Sequence, residues 1–145
     1  MSITEILPPG PIESSKDGDT LLELAFLMAA ADGRLHAGEM AAYRELVSRV
    51  CGAPASESDV GGLVNRFSVT RGSAAIHARV RALGPTLPPE LREVAFRVGM
   101  GLALADGEGC AEEDELVTVF VEALSIPLER AEVLAEEVRA AFGIE

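Results

Sequence analysis

The sequence predicts an all-α fold, a helical bundle built on an internal duplication, and three observations lead there. Apolar residues recur at three- and four-residue steps through one segment after another. No run alternates apolar and polar residues over strand length with β-branched enrichment, and aromatic residues are only 4% of the chain, too few to furnish sheet faces. The third observation is a turn-and-helix pattern that occurs twice.

Taken in order, Leu21, Leu24, Ala25 and Met28 follow helical spacing, with Leu22, Phe26 and Ala29 broadening the face, which predicts a central helix between Gly18 and Ala31. After Asp32-Gly33, the series Met40, Tyr43, Val47 and Val50 predicts a second, amphipathic helix with those residues inward. Gly52-Ala53-Pro54 ends it, and Ser56 or Ser58 caps a third segment through Leu63, Val64 and Phe67, weakened by Gly61-Gly62. Ser73 is the expected cap of a fourth helix that turns Ile76, Val80 and Leu83 inward and His77, Arg79 and Arg81 partly outward. Gly84-Pro85-Thr86-Leu87-Pro88-Pro89 stops that helix and divides the chain into halves. Two further core helices follow, from Glu90 to Ala105 and around Leu116, Val117, Phe120 and Leu124. The last helix starts at Pro127, stops at Gly143 and carries Leu128, Ala131, Ala135, Val138 and Phe142 on one stripe.

With 145 residues, 48% of them apolar, the chain buries a core without help, and one domain over residues 17–145 with a tail over residues 1–16 is expected. The tail has no basic lead and no long apolar stretch, so it does not read as a secretory signal. The apolar runs Leu24–Ala31 and Val98–Ala105 are short of the about 20 residues that cross a bilayer, so no membrane insertion is expected. The two cysteines, Cys51 and Cys110, stand in no paired motif, which fits a reducing cytoplasm. A net charge of −12 disfavours nucleic acid and anionic lipid, and points to cations and basic protein surfaces. That charge is two-sided: Arg66 to Arg97 holds six arginines against Glu90 and Glu93, whereas Asp106 to Glu145 holds twelve acids against Arg130 and Arg139.

The repeated pattern is Ala31-Asp32-Gly33 followed by Glu39, and Ala105-Asp106-Gly107 followed by Glu113, at an offset of 74 residues. Flanking apolar positions keep that register: Leu24 matches Val98, Met28 matches Leu102, Leu46 matches Phe120, Val47 matches Val121 and Val50 matches Leu124. Each unit is a helix, an Asp-Gly turn and a helix, and neither unit alone buries its apolar face, so the expected arrangement is a pseudo-two-fold bundle.

The paired A-D-G-x5-E pattern within apolar helical hairpins resembles the tellurite-resistance TerB family and TerB-like domains, over roughly Thr20 to Phe142. The resemblance implies a fold of about seven helices. It also implies a cytoplasmic stress-response protein without catalysis, a metal-binding cluster, and protein partners that include a membrane-associated stress complex. The family's acidic motif positions fall on Asp32, Glu39, Asp106 and Glu113, all four carboxylates being present. Where the family often shows a serine or aspartate cap, this chain has His36 and Cys110.

Two readings of the four carboxylates stand. In one they are structural: Glu39 and Glu113 sit three residues after an N-cap position, and Asp-Gly is a standard turn pair. In the other they converge on a divalent cation. An aspartate at the end of a helix faces the negative end of its dipole, at a cost of about 0.3–1 kcal/mol, which a cation would offset. Carboxylate oxygens suit calcium, magnesium or manganese, while a mixed site with His36 and Cys110 would be the softer, zinc alternative. An EF-hand is excluded by spacing, since the twelfth loop position is Tyr43 or Val117. No nucleophile with a base, phosphate-cradling loop or cofactor fingerprint is present, so no enzyme is expected. The alternative function is a helical protein-interaction adaptor with no metal. The arginine-rich middle reads as a solvated face, or else binds a phosphate or an acidic partner. The acidic last helix, with Glu129, Glu132, Glu136 and Glu137, reads as a solubilising surface or a site for a basic partner.

Overall fold

The computed structural model describes residue 12 and residues 15–29, 37–70, 72–104 and 111–141. Among the described residues there are seven α-helices and no strand: α1 (Ser15–Ala29), α2 (Ala37–Cys51), α3 (Glu57–Phe67), α4 (Ser73–Leu83), α5 (Pro89–Leu104), α6 (Ala111–Ala123) and α7 (Leu128–Ala141). From Leu21 to Ala29 every residue of α1 except Glu23 is a buried apolar one. A helix that is apolar on all sides has to be surrounded. Accordingly α1 packs most extensively on α5 and also touches α2, α3, α4 and α6.

Leu24 and Met28 of α1 and Val98 and Leu102 of α5 are all fully buried, and the α1–α5 seam brings Met28 against Gly99. Gly99 sets its closeness: a β-carbon there would stand 3.2 Å from Met28 Cβ and 3.3 Å from Met28 Cγ. The glycine therefore lets the two backbones approach until the Met28 side chain lies on the α5 main chain.

Local chemistry ends the helices where it should. Gly52 takes φ 77° and returns its N–H to the Ser48 carbonyl at 2.9 Å, closing α2 with a left-handed cap. The next corner is clasped on both sides of one peptide residue, because Ser48 Oγ accepts from Ala55 N–H and Arg44 Nε donates to the Ala55 carbonyl, each at 2.9 Å. Ser56 then caps α3 in a reciprocal capping box with Asp59. At the end of α6 the Ser125 N–H reaches the Glu122 carbonyl and the Ile126 N–H reaches the Val121 carbonyl, with Ser125 at φ 55°. That is a Schellman motif with serine where glycine is usual.

Three expectations are corrected. The cap of α4 is Gly72 and not Ser73, because the chain enters the helix through φ 86°, a conformation glycine adopts without strain. Met40 and Leu128, expected inward, are 37% and 69% exposed, since both lie in the first turn of their helices at the lip of a surface groove. Their places in the core are filled by neighbours, notably Leu134 in α7, which is fully buried. Phe142 lies outside the described residues.

Several arginines expected on a solvated face are instead clamps between helices. Arg79 of α4 grips Glu23 of α1 with both ends of its guanidinium, Nε to Oε2 at 2.6 Å and Nη2 to Oε1 at 3.0 Å. Arg130 of α7 grips Glu93 of α5 in the same bidentate way, at 3.0 and 2.9 Å. Arg97 of α5 bonds Glu137 of α7 at 2.8 Å, and Arg66 of α3 stands 3.5 Å from Asp19 of α1.

The Glu93 clamp gives stability a pH dependence. The hydrogen bond from Arg130 holds the Glu93 carboxyl below its ordinary value. A carboxyl that is the stronger acid when folded stabilises the protein above the ordinary carboxylate range and loses that contribution as pH falls through its lowered value. Urea unfolding of wild type and Glu93→Gln is expected to show a small, salt-sensitive advantage of wild type at about pH 7 that shrinks as the pH falls below the ordinary carboxylate range.

Candidate functional site

Of the four carboxylates singled out in the sequence, Asp32 and Asp106 lie outside the described residues. Glu39 and Glu113 belong to the first turns of α2 and α6, with side chains that are likewise outside them. His36 and Cys110 are outside as well. The described residues supply the frame that carries these positions. α1 ends at Ala29 and α2 begins at Ala37, while α5 ends at Leu104 and α6 begins at Ala111.

Two features of that frame bear on charge. The seam contact between Met28 and Gly99 falls one residue before the end of α1 and five residues before the end of α5. Among the described residues α1, α5 and α6 have no basic residue in the last turn, whereas α2, α3, α4 and α7 close on Arg49, Arg66, Arg81 and Arg139. An arginine in the last turn offsets the partial negative charge of the exposed carbonyls.

Elsewhere two of the described acids are committed to other work. Both oxygens of Glu23 face Arg79, and both oxygens of Glu93 face Arg130. Tyr43, fully buried in α2, donates its hydroxyl to the Leu22 carbonyl at 2.9 Å. Burial, reinforced by the Glu23 charge, pushes its phenol far above the ordinary value, so it remains a donor at any working pH. Among the described residues no group of three His, Cys, Asp or Glu stands close enough to hold a metal ion. His77 is half-buried on α4.

Sequence reasoning missed the Glu23 clamp although a signal was present. An acid inside the apolar run from Leu21 to Ala29 has to be paired when buried, and the arginines downstream supply the partner.

Among the described residues, open grooves include two that bear on function. One, of about 520 Å³, lies between α2 and α3 and is lined by Met40, Arg44, Glu57 and Val60. The other, of about 290 Å³, lies between α6 and α7 with Phe96 of α5 at its base. No helix among the described residues is long and apolar enough to cross a membrane.

Comparison with known proteins gives one finding: the family described as tellurite resistance protein TerB matches residues 19–135. No curated protein and no solved structure matches the chain. The matched stretch opens in α1 and closes in α7, so it takes in the helical frame that carries both acidic motifs, and the chain belongs to the TerB family.

Proposed function

We propose that this chain is a non-enzymatic stress-response module that binds one divalent cation through Asp32, Glu39, Asp106 and Glu113, on two helical hairpins related by a pseudo-two-fold axis. The observation that carries this reading is the close approach of α1 and α5 at Met28 and Gly99, just before the two acidic motifs in the sequence. Two partial negative charges on neighbouring helix ends, each followed in the sequence by an aspartate, favour a cation. Duplication is supported by the 74-residue offset of the two acidic motifs in the sequence and by Asp19 and Glu93, which are also 74 residues apart and pair with arginines of α3 and α7.

Calcium, magnesium or manganese suits four carboxylates, and zinc would draw on His36 and Cys110. The module works in the cytoplasm and passes its state on by contact with protein partners, a membrane-associated stress complex among them. A second reading, an adaptor whose Asp-Gly turns only cap helices, is favoured by the surface grooves.

Calorimetric titration with calcium and with manganese separates the two readings. Wild type is expected to bind, and Asp32→Asn/Asp106→Asn to lose affinity by at least about a hundredfold, on the scale of removing paired charged ligands. At a free cation concentration about 100 times Kd, wild type gains about 2.7 kcal/mol of stability, visible as a raised Tm that the double variant lacks. Equal heats from the two proteins, or none from wild type, would leave the adaptor.

A further inference from the structure

We propose that the groove between α6 and α7 is a docking site for a basic, amphipathic helical segment of a partner protein. This extends the protein-contact part of the function proposed above and is independent of its cation part, because the residues it rests on, Phe96, Glu122, Leu128 and Glu132, are not among the proposed cation ligands.

The floor is apolar: Phe96 of α5 at the base, with Val117 and Val121 of α6 packed beside it. On the lip stands Leu128, the first residue of α7, which leaves 69% of its surface in water. A groove between two helices, floored by aliphatic and aromatic groups and ended by an exposed leucine, is the shape that receives one apolar face of a third helix.

Charge selects the occupant. Glu122 of α6 and Glu132 of α7 line the two sides of the groove, and among the described residues neither has an ion-pair partner. On the α5–α7 side the arrangement is different, since Glu93 and Glu137 are held by Arg130 and Arg97. Acids are thus neutralised where α7 meets its own bundle and left bare where it borders the groove. In a chain of net charge −12, an apolar slot flanked by bare carboxylates complements a helix with leucine-like anchors and flanking lysine or arginine.

The probe is a fluorescein-labelled peptide of about 18 residues with leucine on one helical face and lysine on the other, beside a scrambled peptide of the same composition. Fluorescence anisotropy is recorded at about 0.15 M salt in EDTA, so that loss of the cation and loss of docking are distinguishable. Wild type is expected to bind the amphipathic peptide at least about tenfold more tightly than the scrambled one. Glu122→Lys/Glu132→Lys is expected to weaken binding by about tenfold or more, while Glu45→Lys/Glu90→Lys, an equal charge change on other exposed helix faces, leaves it near wild type. Circular dichroism establishes that both variants are folded. The proposal is overturned if wild type does not bind, if the two peptides bind alike, or if the two double variants lose equally. It is also overturned if sedimentation shows a dimer that Leu128→Lys dissociates, since a second copy would then be the occupant.

Discussion

Gly84→Ala is expected to lower the unfolding free energy by about 3 kcal/mol, at the upper end of what overpacking a well-filled core costs. A β-carbon at this position would stand 2.7 Å from the Ala123 carbonyl oxygen and 2.8 Å from both the Ala123 carbonyl carbon and its Cβ. Two of these three atoms are main chain, so no side chain can swing aside. Relief requires the end of α6 to move away from the 3-10 turn Gly84–Thr86 that follows α4. The backbone angle itself is ordinary, φ −52°, so the penalty is steric and not conformational. Gly61→Ala and Gly62→Ala are the controls: both glycines are inside α3 with nothing within 4 Å of an added β-carbon. There alanine is expected to raise stability, by up to about 1 kcal/mol each, through helix propensity alone. Chemical denaturation of the three variants gives opposite signs if the close approach is real, and a neutral Gly84→Ala would refute it.

Arg79→Met is expected to cost about 2–3 kcal/mol, and Glu23→Gln/Arg79→Met distinctly less, about 1 kcal/mol. The asymmetry follows from where each partner sits. The Glu23 side chain is 11% exposed and its oxygens are satisfied by the guanidinium, while the Arg79 side chain is 46% exposed. Removing Arg79 strands a largely buried carboxylate whose charge is felt at the Tyr43 phenol, and it is the stranded charge that destabilises. Neutralising the acid as well removes most of that penalty. The half-exposed arginine places the single variant below the full range for buried pairs. A thermodynamic cycle over the two positions measures this, and strictly additive costs would show that the clamp contributes no coupling.

How much was legible in the sequence depended on how local the cause was. The central place of α1 follows from an apolar run that closes the full circumference of the helix, and the run is visible residue by residue. The Ser56 cap is equally local, because serine and Asp59 satisfy each other within four residues. The Gly72 cap was missed because the need for a positive φ arises from how α4 meets the rest of the bundle, which no short window contains. Met40 and Leu128 fitted their stripes but stand beside grooves, and periodicity gives the direction of a side chain without saying what covers it. The arginines misled in the opposite sense: spaced along helices they resemble a wetted surface, and only tertiary packing brings Arg79 to Glu23 across 56 positions of chain. For the candidate site, the sequence displayed the two acidic motifs and their 74-residue offset.

The four described ion pairs share a property with a physical consequence. Arg66 and Arg79 tie α3 and α4 to α1, and Arg97 and Arg130 tie α5 to α7, so each pair joins helices from the same half of the chain. Between the halves, the α1–α5 seam holds by apolar surface around Met28 and Gly99. Ionic strength and temperature therefore act on different joints. Added electrolyte loosens each half within itself and spares the join, whereas chilling relaxes the join and spares the ties inside each half.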